Sequence, residues 1–341
     1  MTGGVSPGAP LPVGVIGCGR MGLLHARVYS QMPQVRLVGL FDADRDVALA
    51  ARDKHGGEVF DSVAAMAEQV RAVTIAAPTQ FHASLAEPLL KRGVACLIEK
   101  PLAKDVDEAR QIVKWSKEHN AVVQVGHIER FNPIVRSMSK ISVEPRFIEV
   151  IRISPLTFRS IDVGVVLDIM IHDIDIVLRL ARSKVARIDA VGVSVIGGPE
   201  DICNARLTFE NGCVANLTAS RLALKTERRL RVFSADAYVS LDYQKKYGIV
   251  ARKTKNLAAI RDAVAKARAG EIEDLSQLNF AELVNIEELT IDDTEPLRAE
   301  LDSFVNSVVT GAPPEVPAED GLAAVETATR IVEAIGKQEL E

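Results

Sequence analysis

The chain has 341 residues, 48% apolar and 26% charged, with a net charge of −5. That length supports two domains with separate cores, and the interspersed charges argue against a nucleic-acid surface. No apolar run approaches the ~20 residues that span a bilayer, which argues against a membrane role. Residues 1–10 lack the basic and apolar regions of a signal peptide and are expected to be a disordered leader. The four cysteines show no CxxC pairing, so neither a zinc site nor a disulfide framework is indicated, and no metal is expected. A reduced, cytoplasmic compartment is the simplest reading.

The ordered chain is expected to begin with a buried strand over Leu11–Ile16. Gly17-Cys18-Gly19-Arg20-Met21-Gly22 follows at once and opens a helical pattern through about Gln31. A second apolar run, Val35 to Phe41, ends at Asp42. A lone GxGxxG is often only a loop. Strand, glycine turn, helix, strand and terminal acid together make a dinucleotide-binding unit. Gly17 permits the tight turn, Gly19 lets the backbone approach a pyrophosphate, and Gly22 lets the helix pack on the strand. The pyrophosphate would lie over the free N–H groups of the helix start. Asp42 would accept hydrogen bonds from the adenosine ribose, which favours NAD over NADP, although Arg45 stands nearby. Cys18, between two glycines, reads as a small filler rather than a nucleophile.

Strands and helices then alternate. Helical patterns cover 44–55 and 61–69, an apolar run covers 72–77, and a helix follows over 81–92. A strand at 94–98, a helix at 106–118 and a strand at 121–125 complete the series. Continuous apolar strands between helices predict a parallel sheet covered on both faces. Ligands on such sheets bind beyond the carboxyl ends of the strands. Those ends carry Pro78-Thr79-Gln80, Glu99-Lys100-Pro101 and His127, with His82 just inside the following helix. Pro78, Thr79, His82 and Glu99 join the glycine turn, Asp42 and Lys100 as candidate cofactor contacts.

From about residue 130 the texture changes. A strand is expected at 146–153 and a long helix at 164–182. Strand-like runs follow at 188–196, 202–209, 213–221, 229–234 and 238–241, with Asn211-Gly212 as a hairpin turn. This half reads as an α/β domain with an open, mostly antiparallel sheet and the long helix packed against it. The domains are placed at 11–128 and 129–341. Residues 254–280 read as a mobile, partly helical insertion. Helices near 297–309 and 321–337 close the chain and are candidates to pack back on the first domain.

Three groups could carry chemistry. Lys100, at a strand exit, is either a catalytic cation in the cofactor cleft or a solvated lysine. Asp168 and His172 lie four apart on one face of an apolar helix, with Asp175 three further on. They form either a dyad facing a cleft or a satisfied buried histidine. A metal site of the HExxH type is not indicated, because no second histidine follows at i+4. His127, Arg130 and Asn132 at the domain junction suit a polar ligand, or Arg130 ties the domains together. Arg152 and Arg159 are candidates for anionic groups, or merely solvate the sheet.

With these motifs in hand, the chain resembles the glucose–fructose oxidoreductase/inositol dehydrogenase/MocA (Gfo/Idh/MocA) family. Gly17–Gly22, Asp42, Glu99-Lys100-Pro101 and Asp168-xxx-His172 fall in the family's order. The resemblance implies a Rossmann domain followed by an α/β domain on an open sheet. It also implies that Lys100, Asp168 and His172 surround the carbon that gives up hydride to NAD. His172 would then accept the hydroxyl proton, Asp168 would orient the imidazole, and Lys100 would stabilise charge on the oxygen, with the roles of lysine and histidine open to exchange. The phrases around His127-Ile-Glu-Arg130-Phe-Asn132 and Val165–Asp175 resemble members that oxidise UDP-N-acetylglucosamine to its 3-keto form for later transamination in amino-sugar and lipopolysaccharide synthesis. Oxidation of a free sugar or inositol-like polyol is the alternative, and a non-catalytic NAD-binding sensor is another. A homodimer or homotetramer is expected.

Overall fold

The computed structural model of the chain describes residues 9–138, 141–157, 162–253, 257–270 and 284–338. It divides into two units: residues 1–132, 166–178 and 294–341 in the first, 133–165 and 179–293 in the second.

The first unit holds six strands: β1 (Leu11–Ile16), β2 (Val35–Phe41), β3 (Glu58–Val59), β4 (Ala72–Ile75), β5 (Ala95–Glu99) and β6 (Val123–Gly126). They lie in the order β3-β2-β1-β4-β5-β6, all parallel. The apolar residues of β1, β4, β5 and β6 are buried almost without interruption, as a sheet covered on both faces requires. Five helices alternate with these strands: α1 (Arg20–Ser30), α2 (Arg45–His55), α3 (Val63–Ala67), α4 (His82–Leu90) and α5 (Val106–Glu118). Short polar side chains start three of them. Asp44, Ser62 and Asp105 each accept a backbone N–H of the first turn of α2, α3 and α5. β3 is a pairing too short to show as a period in the sequence.

Helix α6 (Pro133–Ser137) opens the second unit, whose sheet begins with β7 (Phe147–Ile153). Residues 164–182, expected as one α-helix packed on that sheet, instead form a π-helical turn over Val166–Met170 followed by α7 (Ile171–Ala181). Residues 166–178 group with the first unit. Just before the π-turn the chain is held by Glu200. The Val165 N–H bonds the Glu200 carbonyl at 3.0 Å, and a Cβ on Gly164 would meet the Glu200 carboxylate at 2.1 Å.

The remaining strands are β8 (Val185–Val193), β9 (Ile202–Phe209), β10 (Val214–Ser220), β11 (Glu227–Phe233), β12 (Ala237–Asp242), β13 (Tyr247–Lys253) and β14 (Val284–Glu288). The order is β14-β13-β12-β11-β7-β10-β9-β8, antiparallel except for the β7–β10 pair. Burial alternates along β7, β9 and β12, the mark of a sheet with one face covered. Asn211-Gly212 makes the β9–β10 turn, with Gly212 at φ +82°. β8 ends three residues before the apolar run does, because the N–H groups of Val195 and Ile196 turn to the Asp201 carboxylate at 2.8 and 2.9 Å. β13 and β14 were not expected, since charged residues break their apolar alternation. Within 254–280, residues Leu257–Arg268 form α8, and 254–256 and 271–280 lie outside the described residues, as do residues 1–8 of the expected leader.

Helices α9 (Pro296–Thr310) and α10 (Ala318–Gln338) belong to the first unit. Leu297, Leu301, Phe304 and Val305 of α9 share one core with Val13, Val15, Tyr29 and Leu97. The segment between the two helices covers the edge of β6, where the Val125 N–H bonds the Val316 carbonyl at 2.9 Å. Among the described residues, no helix is long and apolar enough to cross a membrane. Because Phe304 is fully buried in that shared core, Phe304→Ala should cost about 3–5 kcal/mol. Urea unfolding followed by nucleotide-domain fluorescence checks this: a midpoint unchanged from wild type would mean that α9 is not part of that core.

Candidate functional site

The glycine turn joins β1 to α1. Gly17 has φ +83°, and a Cβ there would strike the Ala76–Ala77 backbone at 2.6–2.8 Å. A Cβ on Gly22 would lie 1.8 Å from the Gly17 carbonyl, so the helix can approach the strand only with glycine there. Gly19 and Arg20 are exposed and Met21 half-buried. α1 has no capping side chain and no acid in its first turn, so its leading N–H groups stay open to an anion. At the end of β2 the Asp42 carboxylate accepts the Cys18 N–H at 2.7 Å and the Asp44 N–H at 3.0 Å. Arg45 is paired with Asp61 instead. An open helix start, a glycine cradle and an anchored carboxylate together fit a nicotinamide dinucleotide. Burial and the Asp42 charge push the Cys18 thiol up to about 12, so it stays a neutral filler.

The exits of β4, β5 and β6 are tied to one another. Pro78 is exposed and Thr79 begins a 3-10 turn. His82, buried behind it, reaches the Ala77 carbonyl through Nε2 at 2.9 Å and the Pro101 carbonyl through Nδ1 at 3.0 Å. Both ring nitrogens therefore brace backbone between β4 and β5. Glu99 contacts His25 of α1 at 2.9 Å, a partner the sequence reading missed. The signal was a histidine among the apolar residues of α1.

Lys100 stands at the end of β5, one-fifth exposed. Its Nζ donates to the Asp168 carbonyl at 2.7 Å and lies 3.3 Å from the Asp168 carboxylate. The π-turn presents both oxygens of Asp168 to the lysine. His172, half-buried in the first turn of α7, meets His127 edge to face with ring centroids 6.4 Å apart. His127 is buried at the exit of β6, and neither ring nitrogen has a hydrogen-bond partner among the described residues. Burial pushes its pKa down, against the pull of the Asp175 charge. The structure thus gathers Lys100, Asp168, His172 and His127.

Arg130, three residues beyond His127, is committed to other partners. Its Nε and Nη2 donate to both oxygens of Asp175, at 2.7 and 2.5 Å, and Nη1 donates to Asp320 at 2.7 Å and the Glu315 carbonyl at 3.2 Å. All these groups belong to the first unit, so the guanidinium ties its segments together. Asn132 donates to the Glu129 carboxylate at 3.0 Å. Arg152, in the second unit, stacks over the Tyr243 ring at 5.5 Å. Arg159 lies outside the described residues.

Residues 11–127 match the model of an oxidoreductase family with an NAD-binding Rossmann fold, and residues 155–240 match the GFO/IDH/MocA C-terminal domain. The chain belongs to the Gfo/Idh/MocA oxidoreductases. This Gfo/Idh/MocA chain is 36% identical over 271 residues to the UDP-N-acetylglucosamine 3-dehydrogenase of Acidithiobacillus ferrooxidans, covering 76% of this chain and 86% of that one. The solved structure of that enzyme superposes with a TM-score of 0.84 over 95% of this chain and 97% of its own, at 30% identity. An inositol 2-dehydrogenase of Rhizobium meliloti is 26% identical over 95% of this chain and 97% of its own. The match to a nicotinamide-dependent family agrees with the cradle described above.

The buried Arg130–Asp175 pair yields a prediction. Arg130→Ala leaves Asp175, 1% exposed, without its partner, and should cost about 3–5 kcal/mol. An Arg130→Met, Asp175→Leu double variant should recover part of that loss. Denaturation midpoints check it; intact stability with a raised KM would make Arg130 a ligand contact instead.

Proposed function

We propose that the protein oxidises a ring hydroxyl of a nucleotide-activated sugar, UDP-N-acetylglucosamine at carbon 3, using NAD. The observation that carries the reading is Lys100 held against Asp168 at the strand end, with His172 on the following turn. The substrate follows from similarity to the 3-dehydrogenase along most of both chains.

A nicotinamide held by the glycine turn and Asp42 would supply the acceptor for the hydride of the substrate C–H bond. The chain manages the other half of the oxidation. His172 takes the hydroxyl proton as the C–O bond becomes a carbonyl. An ammonium carries three N–H groups, of which Asp168 engages two, which leaves the third to hydrogen-bond the reacting oxygen and stabilise its developing charge. Asp168 therefore orients the lysine. His127, neutral through burial, lines the histidine's far side without adding charge. Arg130 holds the wall rather than the ligand. The Asp42 carboxylate, held by two N–H groups, accepts ribose hydroxyls and repels a 2′-phosphate.

Reduced-nicotinamide formation from NAD and UDP-N-acetylglucosamine, beside free glucose, myo-inositol and buffer, tests this. Turnover with the nucleotide sugar is expected, lowered about 10²–10³-fold in Lys100→Ala and about 10²–10⁴-fold in His172→Ala. Turnover with inositol alone would replace the substrate and keep the site. Tight NAD binding without turnover on any sugar, even with a transaminase drawing off product, would make the protein a sensor. For the cofactor, Asp42→Ala should weaken NAD about 10-fold or more and narrow its margin over NADP, as read by paired titrations.

A further inference from the structure

Behind Lys100 lies a group of ionisable side chains that the proposed reaction does not use. His25 of α1, Glu99 of β5 and Glu300 of α9 place one polar atom each within 4.8 Å of the others. His25 and Glu300 are fully buried, and Glu99 has a side chain 12% exposed. Glu99 is committed on both oxygens: Oε1 to His25 Nε2 at 2.9 Å, Oε2 to the Lys100 backbone N–H at 3.3 Å. The space around it is tight, since a Cβ on Gly126 would stand 3.0 Å from Oε2. Neither carboxyl oxygen of Glu300 has a hydrogen-bond partner among the described residues. Its position is nonetheless fixed, because its backbone carbonyl accepts Gln124 Nε2 at 2.9 Å and Ser303 holds the same amide at 3.1 Å.

Two carboxylates this close in a buried setting repel strongly if both are ionised, and one histidine compensates only one of them. We propose that Glu99 and Glu300 hold one proton between them, carried by Glu300, and that Glu300 is thereby a positioning residue which keeps Glu99 the single anion behind Lys100. Glu99, paired with His25 and close to the lysine charge, is the member that stays ionised. The directions agree. Glu300 is pushed well above the usual carboxylate range by burial and then by the Glu99 charge. Burial alone would raise Glu99, but its hydrogen bond to His25 and the charges of His25 and Lys100 outweigh burial and hold it low. The groups facing Glu300 are His25 and Tyr29 from α1, Glu99 with Lys100 beyond it from β5, and the uncharged Gln124 from β6. Tyr29 is neutral, its hydroxyl bonded to Thr74 at 2.9 Å and its pKa pushed up by burial.

The sign of the stability effect follows. An acid whose folded pKa is raised contributes stability that is full below its unfolded value and is lost as pH rises through the folded one. Glutamine at 300 mimics the neutral acid and has no such loss. The thermal midpoint of Glu300→Gln should therefore gain on wild type as pH is raised from 5 to 9. Infrared difference spectra of the two full-length proteins at pH 7 should show the carbonyl band of a protonated carboxylic acid in wild type, absent in the variant. Both measurements need no substrate, so they stand or fall apart from the dehydrogenase reading. On that reading, kcat/KM of Glu300→Gln stays within about twofold at neutral pH and keeps its plateau to higher pH. No protonated-acid band in wild type, or a midpoint difference that is flat with pH, would overturn the proposal. So would a stoichiometric metal ion in wild type that Glu300→Gln loses, since the three groups would then be ligands.

Discussion

A charge removed from water must meet its opposite, and the first unit is arranged around that requirement. Lys100 points its ammonium at Asp168, Arg130 sits between Asp175 and Asp320, and His25 lies on Glu99. Each pair joins segments distant in the chain, and the Arg130–Asp175 pair, buried on both sides, would be costly to break because a stranded ion there has no solvent to return to. The pairs add little net stability compared with apolar packing. What they fix is geometry: each holds together segments of the first unit that are far apart in the chain.

The parallel half was legible because its signals are local. A glycine turn declares itself by spacing, β1, β4, β5 and β6 by their apolar runs, and Asp42 by standing at a strand end. The hairpin at Asn211-Gly212 was legible for the same reason. Signals failed where the cause was remote in sequence. Nothing near Val166 announces a π-turn, and the residue that holds the chain just before it, Glu200, is distant in sequence. The end of β8 depends on Asp201 and the pairing of β13 on strands at both sides.

The site was legible in its membership but less so in its wiring. Lys100, Asp168, His172 and His127 are brought together by the fold, yet which partner Asp168 takes follows from how the π-turn aims its oxygens. Arg130 looked like a ligand contact as readily as a tie, because a sequence shows a guanidinium without showing Asp175 and Asp320 closing on it. Glu300 gave no warning at all: an acid in a helix that also carries Arg298 and Asp302 is ordinary until its exposure is known to be nil.

The participation of α9 in the core of β1 and β5 has a consequence for biosynthesis. The ribosome delivers Val13 and Leu97 long before Phe304, and at ~5–20 residues per second the interval between residues 132 and 304 is on the order of 10–30 s. Through that interval the nascent nucleotide-binding half carries an apolar surface that only the last part of the chain can cover. The chain therefore finishes its first unit last, and its exposure to chaperones and to aggregation is set by the time taken to make everything in between.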